Sequence, residues 1–119
     1  MPSVTWFEIP ADDTGRARAF YETLFGWGTG PFPAPFKNDF WAVSTGGDVG
    51  GDLFRREFPG QQIMIYIDVP SIDEYLGKIE ALGGRALTGR VPVPGIGWLA
   101  VCEDTEKNRF GLWESGSGE

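Results

Sequence analysis

The stretch VTWFEIPADD (residues 4–13) sets a tryptophan two residues from a glutamate. Side chains alternate faces along a strand, so Val4, Trp6 and Glu8 share one surface while Thr5, Phe7 and Ile9 share the other. The second set is ordinary core. The first pairs a large π face with a carboxylate. Such a pair attracts planar or cationic ligands, or holds a general base if the carboxylate lies in apolar surroundings. QQIMIYIDV (61–69) offers a second surface of this kind, with Met64, Tyr66 and Asp68 alternating with Ile63, Ile65, Ile67 and Val69. In GLWE, Leu112 and Glu114 are expected to face the ligand, and the intervening Trp113 the helix layer. Trp41 and Trp98 are further candidates for the binding surface, although the pattern does not fix their strand faces.

The chain contains no histidine and one cysteine, Cys102. That removes Ser-His-Asp and Cys-His nucleophile systems, HExxH zinc sites and thiolate zinc sites. A metal would need oxygen ligands alone, which restricts it to hard ions such as magnesium, calcium or manganese. Ten basic against seventeen acidic residues give a net charge of −7. Neither nucleic acid nor an anionic membrane suits such a surface. No apolar run reaches membrane-spanning length and no basic region precedes a hydrophobic stretch at the N-terminus, so a cytoplasmic location is expected. The glycine clusters STGGDVGG and GIG lack the Lys-Ser/Thr of a phosphate loop and mark turns.

These residues need elements to hold them. After the first strand, DDTGRARAFYETLFGWG has helical periodicity, with Ala17, Phe20, Tyr21, Leu24 and Phe25 on one stripe. Asp12 or Asp13 suits its start and Gly26 its end. Residues 28–38 read as loop with a short edge strand, and DFWAVST (39–45) and GDLFRR (51–56) as two strands about the turn GGDVGG. The strand at 61–69 leads into a helix over 71–84, with Ile72, Tyr75, Leu76, Ile79 and Leu82 on its stripe. Ser71 and Glu74 have the spacing of a capping box. Strands follow around RALTGR, GWLAVCED and RFGLWE, with VPVPGIG and EKN as turns. Strand, helix and three strands therefore occur twice. The reading is an α+β single domain over 1–119, with modules at about 1–58 and 59–119. The two βαβββ modules form a curved mixed sheet with helices on the outer face and a concave ligand cup.

This repeat, opened by FEIPADDTGRARAFYETLFGW and closed by GWLAVCEDTEKNRFGLWE, resembles the vicinal-oxygen-chelate superfamily. That group includes glyoxalase I, extradiol dioxygenases, methylmalonyl-CoA epimerase and bleomycin-resistance proteins. DTEKN (104–108) stands where relatives often have Asp-Pro-x-Gly-Asn; Asn108 can tolerate a left-handed turn conformation, so the hairpin is expected to survive. The resemblance implies metal ligands, commonly histidine, on the first strand of each half. Trp6 and Met64 occupy those positions here. Glu114 keeps the ligand type of the last strand, and Asp52 falls near the remaining position.

The resemblance therefore implies a metal-independent member without a cofactor. It would bind an aromatic or cationic organic molecule and act as a homodimer. The ligand surface would comprise Trp6, Glu8, Trp41, Met64, Tyr66, Asp68, Trp98, Leu112 and Glu114. An isomerase, epimerase or lyase using Glu8 or Glu114 as general base is the alternative, with or without a hard cation on Glu114, Asp52 and Glu8. A non-catalytic interaction module with a filled cup is the third reading.

Overall fold

The computed structural model describes residues 1–32 and 39–119. Residues 33–38, within the stretch read as loop, lie outside the described residues. The elements run β1 (Ser3–Ala11), α1 (Thr14–Phe25), β2 (Gly28–Pro31), β3 (Trp41–Ser44), β4 (Gly50–Arg55), β5 (Met64–Asp68), α2 (Ile72–Ala81), β6 (Arg85–Ala86), β7 (Val91–Val93), β8 (Gly97–Glu103) and β9 (Arg109–Ser115). A strand, a helix and a group of strands thus occur twice, giving the expected α+β arrangement of two modules. The chain divides into compact units of residues Thr5–Met64 and of Ile65–Glu119 with Met1–Val4.

In the first unit the strand order is β2-β3-β4-β1, with β1 parallel to β4 and the other pairs antiparallel. Asp13 caps α1 by accepting the N–H of Arg16 at 2.9 Å, and Gly26 ends it in the left-handed conformation at φ 71°. A side-chain cap of this kind contributes about 1 kcal/mol. The α1 side of the sheet buries Ile9, Ala11, Val43 and Leu53, with Phe7, Ala17, Tyr21 and Trp27 packed against them. Phe7 lies over Gly51, where a Cβ would sit 2.4 Å from its ring.

The helical stripe read from sequence is only half buried. Ala17 and Tyr21 reach the core, whereas Phe20, Leu24 and Phe25 remain 57, 58 and 57% exposed. One side of a 12-residue helix suffices to cover this small sheet. The three outer side chains lie beyond its reach.

In the second unit β5 runs parallel to β9, and β9 is antiparallel to β8. Both β6 and β7 pair with β8, through Arg85↔Glu103 and Val91↔Leu99 respectively. The sequence reading placed residues 91–93 in a turn. They form a strand instead, at a sheet edge where a proline without an N–H is tolerated.

Ser71 caps α2 by accepting from Glu74 N–H. Ile72, Val69, Ala100, Cys102 and Leu112 form the core beneath this helix, joined by Ile67, Tyr75, Leu76, Ile79, Trp98 and Phe110. Ile63 and Ile65, expected on the same buried face, are 57 and 41% exposed, as is Leu82 at 79%. In the β8–β9 turn the left-handed residue is Lys107, at φ 67°, and not Asn108. Asp104 fixes that turn by accepting the backbone N–H groups of Glu106 and Asn108 at 2.8 and 2.9 Å. These bonds, Asn108's first among them, hold its carboxyl below the usual range.

Candidate functional site

Alternation along β1 puts Phe7 and Ile9 under α1, so Trp6 and Glu8 occupy the face of the first unit that α1 leaves uncovered. The parallel register then sets Trp6 beside Gly50 and Glu8 beside Asp52. The indole N–H of Trp6 donates to Asp52 Oδ2 at 2.6 Å. Both carboxylates are buried, Glu8 at 6% and Asp52 at 1% exposure. Ala42 stands across from Asp52 on β3 and adds little bulk. A Cβ on Gly50 would come within 3.3 Å of Trp6 Cζ3, so the glycine leaves room for the indole to lie along β4.

Two further aromatic rings complete this cluster. Phe32 meets Trp6 edge-on, with centroids 6.2 Å apart and planes at 89°. Phe40, itself 9% exposed, packs on Phe32 at 4.7 Å. Neither phenylalanine was singled out from sequence: Phe32 lies in the stretch read as loop, and Phe40 in DFWAVST, whose strand faces the pattern does not fix. The result is a pair of buried carboxylates on neighbouring strands beside an edge-packed aromatic group. Such a surface can hold a planar cation, or move a proton at a carboxylate.

Trp41 lies elsewhere. Its register partner is Leu53, so it shares the α1 side of the sheet. Arg18 of α1 covers its ring with the guanidinium carbon 3.6 Å from the centroid. Its N–H donates to Asp39 Oδ1 at 2.7 Å. Thr14 Oγ1 donates to the other oxygen of Asp39 at 2.6 Å. These two bonds, Thr14's the larger, hold the Asp39 carboxyl below its usual range, with Arg55 and Arg18 assisting.

In the second unit, Tyr66 pairs with Gly111 and Asp68 with Trp113, which sets these four on the side away from α2. Tyr66 is 5% exposed. Its ring lies over Gly111, where a Cβ would fall 2.2 Å away. Met64 alternates onto the same side of β5, and Asp68 is exposed. Trp98, Leu112 and Glu114 are on the opposite, α2 side. Leu112 is 2% exposed within that core. Glu114 accepts the N–H of Ile72 at 2.8 Å, at the first turn of α2, and lies 3.4 Å from Arg90. Arg90 in turn sits over Trp98 at 4.5 Å.

The sequence reading of β9 therefore had its faces exchanged. Trp113, expected in the helix layer, is on the other side, and its N–H donates to Ser115 Oγ at 3.2 Å.

The two modules differ at matching positions. Glu8 stands five residues before the cap Asp13, and Tyr66 five before the cap Ser71. Each faces a residue of the last strand of its own module, Asp52 for Glu8 and Gly111 for Tyr66. One module thus carries an acidic pair where the other carries a ring over a glycine.

Residues 3–46, which hold β1, α1 and the Trp6–Glu8 strand, match the family model for the bleomycin resistance protein-like N-terminal region. Over 116 residues the chain is 23% identical to the glyoxylase-like protein CFP32 of Mycobacterium tuberculosis, covering 92% of this chain and 44% of that protein. It is 27% identical to a glyoxylase-like domain-containing protein of Didymella fabae, covering 92% and 91%. A hypothetical protein from Bacillus halodurans shares the fold with a TM-score of 0.70 at 17% identity, covering 99% of this chain and 97% of its own.

The chain resembles the glyoxalase/bleomycin-resistance superfamily, in sequence over residues 3–46 and in fold throughout. Methylmalonyl-CoA epimerase from Mycobacterium tuberculosis is another fold neighbour, with a TM-score of 0.70 at 12% identity over 95% of this chain and 87% of the epimerase. The chain spans less than half the length of CFP32. The metal ligands that the resemblance implies are not brought together among the described residues. Trp6 and Met64 stand at the histidine positions implied by the resemblance, and Glu114 is turned to α2 and bonded there. Among the described residues no three His, Cys, Asp or Glu side chains converge. The residues present do not fit that metal site.

Proposed function

We propose that this protein binds a planar, cationic or aromatic organic molecule without a metal, using the surface built by Trp6, Glu8 and Asp52. The observation that carries this reading is the 2.6 Å bond from the Trp6 indole to Asp52, with buried Glu8 on the adjoining strand. The bond fixes the indole's orientation in advance, so little side-chain freedom is lost when a ligand stacks. Tryptophan is the best of the aromatic faces for a cation, worth about 0.5–2 kcal/mol. A negative field from two carboxylates and a −7 chain favours the same charge. The match of residues 3–46 to a bleomycin resistance protein-like region supports drug sequestration as the physiological form of this binding.

Calorimetric titration with methylene blue, metal-free bleomycin and the anionic 1-pyrenesulfonate tests the proposal. Saturable binding of a cation, weakened about tenfold or more in Trp6→Ala, is expected. Equal binding by wild type and Trp6→Ala would place any ligand elsewhere.

A second reading, an isomerase, epimerase or lyase, rests on Glu8 being buried beside Asp52. Glu8 would take and return a proton in that site, whereas Glu114 is engaged by Ile72 and Arg90. In that case Glu8→Gln would lose turnover and keep substrate affinity. Parallel loss of both would refute the base role.

A further inference from the structure

A second hollow opens where the chain leaves the parallel strands β1 and β4. The register pairs Ala11 with Arg55 at their ends, and Arg56 N–H donates to Ala11 O at 2.9 Å, so Asp12 and Arg56 emerge side by side. The hollow has a volume of about 520 Å³ and is lined by Asp12, Arg56, Glu57, Phe58, Pro59 and Gly60. That size falls within the range of small-molecule sites, about 300–1,000 Å³. It shares no residue with the surface of Trp6, Glu8 and Asp52.

Its polar feature is an ion pair open to solvent. Arg56 Nε donates to Asp12 Oδ1 at 2.9 Å, and the two side chains are 28 and 74% exposed. The same guanidinium donates to the carbonyl oxygens of Gln61 and Pro10, which fix its position. A guanidinium has five N–H groups. Three are thus used among the described residues, and two are left for a ligand. The apolar feature is Phe58, 43% exposed, carried on a type II turn. Gly60 takes the left-handed position of that turn at φ 83°, and Gln61 N–H donates to Phe58 O at 3.3 Å. Glu57 and Gln61 clasp its base. Glu57 N–H donates to Gln61 Oε1 at 2.9 Å, and Gln61 Nε2 to Glu57 Oε1 at 3.2 Å.

We propose that this hollow binds a free α-amino acid with an aromatic side chain, as the zwitterion. The ligand's carboxylate takes the remaining N–H groups of Arg56, its ammonium takes Asp12 Oδ2, and its ring lies against Phe58 and Pro59. Charge pattern selects this class. An α-amino acid carries its two charges on neighbouring atoms, as the Arg56–Asp12 pair does, so each charge meets its opposite. A simple anion would face the carboxylates of Asp12 and Glu57 on a −7 chain. A simple cation would face the guanidinium and leave its N–H groups unmet. The zwitterion has no net charge for that field to repel. Ring against ring supplies the remaining attraction. Exposed ion pairs are weak, so a dissociation constant on the order of 1 mM is expected.

Titration of isotope-labelled protein with L-phenylalanine to about 20 mM, followed by NMR, reads such an affinity directly. The Arg56 Nε–H and the amides of Glu57, Phe58 and Gly60 are expected to shift saturably. Phenethylamine, which lacks the carboxylate, and hydrocinnamate, which lacks the ammonium, should each bind about fivefold more weakly. Phe58→Ala should weaken phenylalanine binding about two- to tenfold. Asp12→Asn keeps an oxygen for Arg56 at an exposed position and guards against misfolding of the first variant; it should weaken binding about two- to fivefold. No shift of these four groups overturns the proposal. So does phenethylamine or hydrocinnamate binding as tightly as phenylalanine, or wild-type affinity in both variants.

Discussion

Trp6 donates its indole N–H to Asp52 at 2.6 Å across two parallel strands, and the Cα partner of that same Asp52 is Glu8. One register therefore aims an aromatic platform and pairs two carboxylates. Asp52→Asn keeps the shape and removes a charge. It should lower affinity for methylene blue by about tenfold, or about 1.4 kcal/mol, while altering 1-pyrenesulfonate binding little or in the opposite direction. Equal effects on both dyes would show that charge plays no part.

Gly50 sets the tilt of that platform. With a Cβ the contact to Trp6 Cζ3 would be 3.3 Å, so the ring must yield by a few tenths of an ångström. Gly50→Ala is expected to change the near-ultraviolet circular dichroism and weaken binding two- to tenfold, roughly, with a midpoint of urea unfolding close to wild type. Unchanged spectra and affinity would mean the indole is free to adjust.

Glu114 is engaged at the start of α2. Its bond to Ile72 N–H satisfies a donor at the start of α2, where a negative charge is favoured. Glu114→Ala should cost about 1–2 kcal/mol by urea unfolding and leave cation affinity unchanged. Loss of binding in folded protein would return this residue to the site.

Asp39 predicts a pH dependence. Bonds from Thr14 and Trp41 lower its carboxyl in the folded protein relative to the unfolded chain. A group depressed on folding adds stability above its unfolded value, and that stability disappears as the pH falls through the folded value. Wild type should thus lose more stability than Asp39→Asn between about pH 5 and pH 2, measured by urea midpoints. Parallel curves would contradict the assignment.

Cys102 is fully buried, and burial pushes its thiol up to about 11. It should react with an aromatic disulfide reagent only on unfolding, at the rate of that unfolding. Rapid reaction in native buffer would show an opening of the α2 core.

Local chemistry made much of this fold legible. Asp13, Gly26 and Ser71 announced three helix ends, because caps depend on side chains adjacent in sequence. Trp6 and Glu8 were assigned correctly to one face, since Phe7 and Ile9 gave β1 an unambiguous core side. In β9 both candidate faces held apolar residues, Leu112 on one and Trp113 on the other. Alternation fixes only that they differ, and the choice rests on what α2 covers. The same limit applies to Trp41 and Trp98, whose faces follow from their partners Leu53 and Glu114. Asp52 became a clear member of the site only through the β1–β4 register, a contact 44 residues away in sequence for Glu8. Phe20 and Leu24 misled for another reason. Apolar spacing shows that a helix has a greasy face, but not whether its own domain or a second molecule covers it.

The most direct test of metal-free cation binding is a calorimetric titration of chelator-treated protein with methylene blue, repeated after magnesium, manganese and zinc are restored. The account predicts saturable binding in the chelated protein, with affinity unchanged by any of the three ions. Binding that appears only once a divalent ion is returned would contradict it.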